Sequence, residues 1–224
     1  MNRKSFLAGL GLVVAGSALF TSCIERGDYN SNPNNNNNYN HHYSDTNYVF
    51  DEEFNVADNY GWAFTDPTDS AYATVTGGSY EYVDYSTTKS STTVMSTGIN
   101  VAGNFTVTTR IKSNVIMGLI FGASSTSPGY AFYIDTAGNY SLYAEGSGTT
   151  ASTPIITSTQ DTLYAAKDNW NILEMDQTNG VWTFYINGTQ VSSMAARAIS
   201  GDGFGFKVLP GTTGYADYIV VKND

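Results

Sequence analysis

Residues 169–188 read NWNILEMDQTNGVWTFYING, and their apolar and polar positions alternate with a period of two. Leu173, Met175, Trp182, Phe184 and Ile186 fall on one face; Glu174, Asp176, Thr183 and Tyr185 fall on the other. Asn179-Gly180 stands between the two runs. A type I′ turn needs positive φ at both central residues, which Asn and Gly tolerate best. Setting Thr178 opposite Val181 then puts Met175 opposite Phe184 and Leu173 opposite Ile186. A slip by one residue would turn every apolar side chain to water, so turn and alternation together fix one register. The stretch predicts a complete antiparallel hairpin.

The same period recurs from residue 48 onward, and nothing long repeats with period 3.6. Phe50 and Phe54 open the series, with Asp51, Glu52 and Glu53 between them, and Trp62 and Phe64 follow. Residues 71–75 and 79–85 flank Gly77-Gly78 as a second hairpin, and 92–95 is a short strand. In 105–112, Phe105, Val107 and Ile111 face inward while Thr106, Thr108, Arg110 and Lys112 face outward. Residues 116–121 are apolar on both faces, as in a central strand. Residues 130–135 and 139–145 form a third hairpin, with Gly138 left-handed in its loop. Here Tyr130, Phe132, Ile134, Tyr140 and Leu142 share the core face; Ala131, Tyr133, Asp135, Ser141, Tyr143 and Glu145 share the other. Residues 153–157, 204–208 and 215–222 complete the set. About a dozen short strands with tight turns and no helix predict an all-β fold, a two-sheet antiparallel β-sandwich of jelly-roll type.

The alternation is absent before residue 48, which divides the chain into 1–22, 23–47 and 48–224. Met1 to Lys4 is basic, Phe6 to Phe20 is a short apolar run rich in small residues, and Thr21-Ser22-Cys23 closes it. The run is too short and too rich in Gly and Ala to span a membrane stably. It resembles a bacterial lipoprotein signal with Leu19-Phe20-Thr21-Ser22-Cys23 as the lipobox, although Phe20 stands where an aliphatic residue is usual. The resemblance implies lipidation of Cys23 and an envelope address, the outer membrane of a Gram-negative bacterium. Cys23 is the only cysteine, so no intrachain disulfide is available. Residues 23–47 are dominated by asparagine and read as a flexible tether of a few nanometres. His41-His42 lies in it without carboxylate or thiol companions and reads as solvated linker. Arg26-Gly27-Asp28 is a three-residue match to an integrin-binding tripeptide in a low-complexity tail.

Composition fits a secreted sheet protein. Charged residues are 13% of the 224 and tyrosines number 17. The net charge is −10, and removal of Arg3 and Lys4 with the leader leaves −12, which argues against nucleic acid or anionic lipid as partner.

The residues Phe50-Asp51-Glu52-Glu53-Phe54, Trp170-Asn171-Ile172-Leu173, Tyr185-Ile186-Asn187-Gly188, Gly203-Phe204-Gly205-Phe206 and Ala216-Asp217-Tyr218-Ile219-Val220-Val221 together resemble the concanavalin A-like lectin/glucanase superfamily. The likeness is to its LamG-like and keto-disaccharide-hydrolase-like branches. It covers nearly all of 48–224 and rests on core and turn positions, so it speaks for fold more than function.

Because that superfamily includes retaining glucanases, catalysis is the first test. Retention needs two carboxylates about 5–5.5 Å apart, and inversion allows up to about 9.5 Å. The glucanase motif is Glu-x-Asp-x-x-Glu. Glu174-Met175-Asp176 begins it, but Asn179 stands at the second Glu, where the turn has started. Asp135 and Glu145 share a face, yet at ~3.3 Å per residue they lie roughly 20 Å apart. Glu81 and Asp84 fall on opposite faces. No Ser-His-Asp or Cys-His set exists. The expectation is therefore a non-catalytic carbohydrate-binding module. A glycoside hydrolase acting on a keto-disaccharide or glucan, and a structural adhesion module, are the alternatives. The candidate platform is Tyr133 and Tyr143, with Ser141 and Asp135 beside them and Arg110 joining if its strand shares the sheet. Aromatic rings stack on sugar C–H faces, and carboxylates and hydroxyls bond sugar hydroxyls. The resemblance also implies a calcium ion at strand ends, for which Asp51, Glu53 and Asp217 are candidates if first and last strands pair. Asp66-Pro67-Thr68-Asp69 is the second choice. Asp69-Ser70-Ala71, Asp135-Thr136-Ala137 and Asp161-Thr162-Leu163 resemble O-glycosylation acceptors of some envelope proteins.

Overall fold

A computed structural model describes residues 47–55, 58, 60–68, 70–147, 150–160, 165–166 and 169–224. Cys23, the Arg26-Gly27-Asp28 tripeptide, the His41-His42 pair, Asp69 and the Asp161-Thr162-Leu163 triplet lie outside these residues.

Fifteen strands form two antiparallel sheets, and no helix occurs among the described residues. The larger sheet holds nine strands: β1 (Tyr48–Glu52), β2 (Phe64–Asp66), β3 (Ala71–Thr76), β4 (Ser79–Asp84), β6 (Phe105–Ser113), β11 (Asn171–Thr178), β12 (Val181–Ile186), β13 (Thr189–Ala195) and β15 (Thr213–Asn223). Their order is β13-β12-β11-β6-β15-β4-β3-β2. The eleven residues of β15 run the length of β6 on one side. On the other side β15 meets β4 with its first half and β1 with its second. The smaller sheet holds β5 (Ser91–Ser96), β7 (Ile116–Ala123), β8 (Tyr130–Asp135), β9 (Asn139–Ala144), β10 (Thr153–Gln160) and β14 (Gly203–Val208), in the order β10-β9-β8-β7-β14-β5.

The hairpin registers follow from turn chemistry. Leu173 pairs with Ile186, Met175 with Phe184 and Thr178 with Val181, and Asn179 and Gly180 take φ of 51° and 75°. Phe132 pairs with Leu142 and Ile134 with Tyr140, with Gly138 at φ 83°. The strand apolar on both faces, β7, is central in its sheet. The core between the sheets is aromatic: Trp62, Tyr80, Phe105, Phe121, Phe132, Trp182, Phe184, Phe204 and Phe206 are all fully buried. Trp182 packs edge-on against Phe121 and Tyr130, with ring centroids 5.2 and 4.8 Å away, and donates its Nε1–H to Gln177 Oε1 at 2.9 Å. Burial of rings this large dominates the stability of a sandwich, with edge-to-face geometry adding about 0.5–1.5 kcal/mol per pair. β13 has no counterpart in the sequence reading. It is an edge strand whose Gln190, Ser192 and Ser193 give no period-two signal.

Candidate functional site

The platform expected from Tyr133 and Tyr143 is not an open surface. Both lie on the face of the smaller sheet turned away from the core, as the alternation requires. But that face carries its own apolar cluster of Ile120, Ala123, Ala131 and Tyr133, with Tyr143, Val94, Ile116 and Leu209 packed around it. Tyr133 is 4% exposed and Ser141 6%. The Tyr133 ring meets Tyr143 edge-on at 5.9 Å. Its hydroxyl donates to Glu145 Oε1 at 2.8 Å. The other oxygen of Glu145 accepts from Ser152 Oγ at 2.8 Å and from the Lys207 ammonium. The Glu145 side chain is 1% exposed and that of Lys207 12%. Burial, aided by the Glu145 charge, pushes the Tyr133 phenol well above its ordinary value. Ring, carboxylate and ammonium satisfy one another, so this constellation supports the sheet and leaves no group for a ligand. Asp135 is likewise occupied: it accepts the N–H groups of Ala137 and Asn139 at 2.9 and 2.8 Å and the Asn139 amide at 2.7 Å.

Arg110 does not join these residues. β6 belongs to the larger sheet, where Arg110 donates to Asp217 Oδ2 at 2.7 Å. That pairing also separates the three calcium candidates. β1 and β15 do pair, with Asp51 opposite Val220 and Glu52 opposite Ile219. Asp217, at an irregularity in β15, is nevertheless drawn to Arg110 across the neighbouring strand. Glu53 Oε2 accepts from the Asn55 amide at 2.7 Å. Among the described residues no three His, Cys, Asp or Glu side chains are grouped to hold a metal ion.

The outer face of the larger sheet is where exposed aromatics and charges gather. Lys112, Tyr215, Glu81 and Thr74 sit side by side on β6, β15, β4 and β3 in one cross-strand row. Asn171 opposes Ile111, so Trp170 is level with Lys112 at the next position. The Lys112 ammonium lies 4.7 Å from the Trp170 ring centroid and 4.9 Å from that of Tyr215, and the Arg110 guanidinium lies 4.8 Å from Trp170. Such contacts contribute about 0.5–2 kcal/mol and fix the rings in place. Tyr215 donates to Glu81 Oε1 at 2.9 Å, and this bond with burial and the Glu81 charge holds its phenol above the ordinary value. Tyr72 and Tyr85 stand beyond Thr74, with rings 5.9 Å apart, and the Tyr72 phenol is pushed up to about 12, chiefly by its hydrogen bond to Tyr85. Trp170, Tyr215 and Tyr72 are all partly exposed, and Tyr85 is 67% exposed. Trp170 and Tyr215 are two strand spacings apart, roughly 10 Å. Glu174 and Asp176, the start of the incomplete glucanase motif, lie on the same face and are held by the hydroxyls of Thr108 (3.1 Å) and Thr178 (2.8 Å).

Two carboxyls have acid/base values near neutrality. Burial and then the charges of Asp58 and Asp51 push Glu52 up to about 7, opposed by the Phe54 N–H it accepts at 2.7 Å. Burial and then Glu53 push Asp51 up to about 6. Raised carboxyls often mark general acids. Here the two are neighbours on one strand, Glu52 inward with Phe50 and Phe54 and Asp51 outward, so they do not flank a common bond.

The fold is the concanavalin A-like jelly roll. The GlcNAcα1-4Gal releasing endo-β-galactosidase of Clostridium perfringens matches 78% of this chain over 62% of its own, with 13% identity and a TM-score of 0.50. The CBM2 module of the Lactobacillus casei BL23 phage J-1 evolved Dit matches 78% over 94% of its own, with 12% identity and a TM-score of 0.50. No protein-family profile matches the sequence, and no curated protein matches it.

Proposed function

We propose that this chain is a non-catalytic glycan-binding protein of the cell envelope, held there through Cys23, that reads polysaccharide with the outer face of its nine-stranded sheet. The observation that carries the reading is the band Trp170–Lys112–Tyr215–Glu81, continued to Tyr72. Partly exposed rings at strand spacing offer stacking surfaces for sugar C–H faces, and the charges between them meet hydroxyls. The names of the two similar structures, a galactosidase and a carbohydrate-binding module, support the reading at the level of fold. The incomplete acid motif at Glu174 and the engagement of Glu145 and Asp135 support the non-catalytic part.

Titration calorimetry of the full chain against soluble β-glucans and galactans tests it. Trp170→Ala and Tyr215→Ala are expected to weaken binding at least tenfold each, with stability nearly unchanged. Tyr133→Phe, on the other sheet, is expected to bind as the parent does. Undiminished binding in the Trp170→Ala/Tyr215→Ala double variant, or release of sugar during the titration, overturns the proposal.

A further inference from the structure

At one end of the sandwich three connections converge: residues 97–104, the β11–β12 turn, and residues 196–202. Between them lies an open cleft of about 410 Å³. Its floor is the Gln177 amide, which is 8% exposed, donates to the carbonyls of Val101 and Gly103 at 2.8 Å each and accepts from Trp182. One wall, 196–199, is preformed. Ala196 donates its N–H to the Gly180 carbonyl at 2.8 Å, the Tyr130 hydroxyl donates to the Ala198 carbonyl at 2.9 Å, and Ile199 seats against Gly122, where a Cβ would lie 2.7 Å from its Cγ2. The opposite rim is tied by the Asn179 N–H to Asn104 Oδ1 at 3.0 Å.

Arg197 stands on this rim, exposed, with no ion pair or ring contact among the described residues. In a chain of net charge −10 that is a distinctive placement. Lys207, Arg110 and Lys222 are matched to Glu145, Asp217 and Asp224, and Lys112 to two rings. The acidic side chain nearest in the chain's course, Asp224, donates its N–H to the Asn104 carbonyl at 3.3 Å, while its carboxylate accepts from Thr106 and meets Lys222.

We infer that this cleft is a second binding site, separate from the Trp170 face, for a sugar acid such as a hexuronate. A guanidinium grips a carboxylate bidentately. The apolar wall of Val101, Ala196 and Ile199 suits a sugar's C–H face, the amides of Asn104 and Asn179 suit its hydroxyls, and the volume lies in the range of small-ligand pockets. The inference goes beyond the glycan reading of the sheet face and stands or falls apart from it.

The test is amide-resolved NMR titration of the full chain with sodium glucuronate, glucose and sodium acetate. The expected result is saturable shifts at Gly103, Asn104 and 196–199 with glucuronate, at millimolar Kd, and affinities at least tenfold weaker for glucose and for acetate. Arg197→Gln is expected to weaken glucuronate about tenfold, and Ala198→Trp to block the cleft; both positions are exposed, so folding is unaffected. Trp170→Ala is expected to leave these shifts unchanged. No saturable shift, equal responses to glucuronate and glucose, equal responses to glucuronate and acetate, or an unaffected Arg197→Gln overturns the inference.

Discussion

A Cβ placed on Gly118 would lie 2.6 Å from Cδ1 of the Tyr133 ring, because that ring lies flat across the glycine on the neighbouring strand. Gly118→Ala is therefore expected to destabilise the domain by about 1–3 kcal/mol, the usual cost of overpacking. Tyr133→Ala removes the obstruction, so the double variant should cost clearly less than the sum of the two single changes. Urea midpoints of the four proteins check this.

Lys207 and Glu145 form an ion pair whose carboxylate is shut away from water. Lys207→Met strands that charge and is expected to cost about 3–5 kcal/mol. Adding Glu145→Gln removes the stranded charge and should restore most of the loss. A second change that fails to recover stability would refute the account; equilibrium unfolding decides.

The Glu52 carboxyl rises from its ordinary 4.5 to about 7 in the folded protein, and Asp51 from 3.8 to about 6. The folded state thus holds these protons more tightly than the unfolded chain. Their contribution to stability is largest below about pH 4 and is lost as pH rises through the window from there to about 7. For Glu52 alone the loss is at most about 3 kcal/mol. Tm should fall from pH 5 to pH 8. Glu52→Gln should flatten the slope and raise Tm at pH 8, whereas Glu53→Gln and Asp58→Asn act on Glu52 only through charge and should flatten it less. The Glu52 carboxylate also accepts the N–H of Phe54, which sits at φ +53°, so spectral changes around Trp62 should track the same titration.

Cys23→Ser is expected to move the protein from the membrane to the soluble fraction and to abolish incorporation of labelled fatty acid. Retention in the membrane fraction would remove the anchor from the proposal.

Much of this architecture was legible because it is local. Asn179-Gly180 and Gly138 dictate their turns, and the turns dictate which of Met175, Phe184, Phe132 and Leu142 face each other. The candidate site was less legible, because alternation assigns a face without saying what covers it. Tyr133 is on the expected face, yet Gly118 on the next strand makes room for it to lie down and Lys207 from two strands away helps close over it. Arg110 was misplaced for a similar reason: sheet membership depends on partners about 60 to 110 residues away, Ile172 on one side and Tyr218 on the other. Trp170 could have been found. With Leu173 and Met175 inward it must point out, and an outward tryptophan next to Lys112 is rarely idle on a sheet surface. Edge strand β13 offered no comparable signal, since Thr189, Gln190, Ser192 and Ser193 suit either face.

β15 follows every other strand in the chain, yet β6, β4 and β1 can meet only across it. Until residue 223 has emerged, the two halves of the larger layer have nothing to join them. Early segments must wait as unassembled hairpins, and assembly then completes by long-range pairing, which is slow. Such a chain stays threadable through a narrow export channel while it is being made, and locks only after delivery.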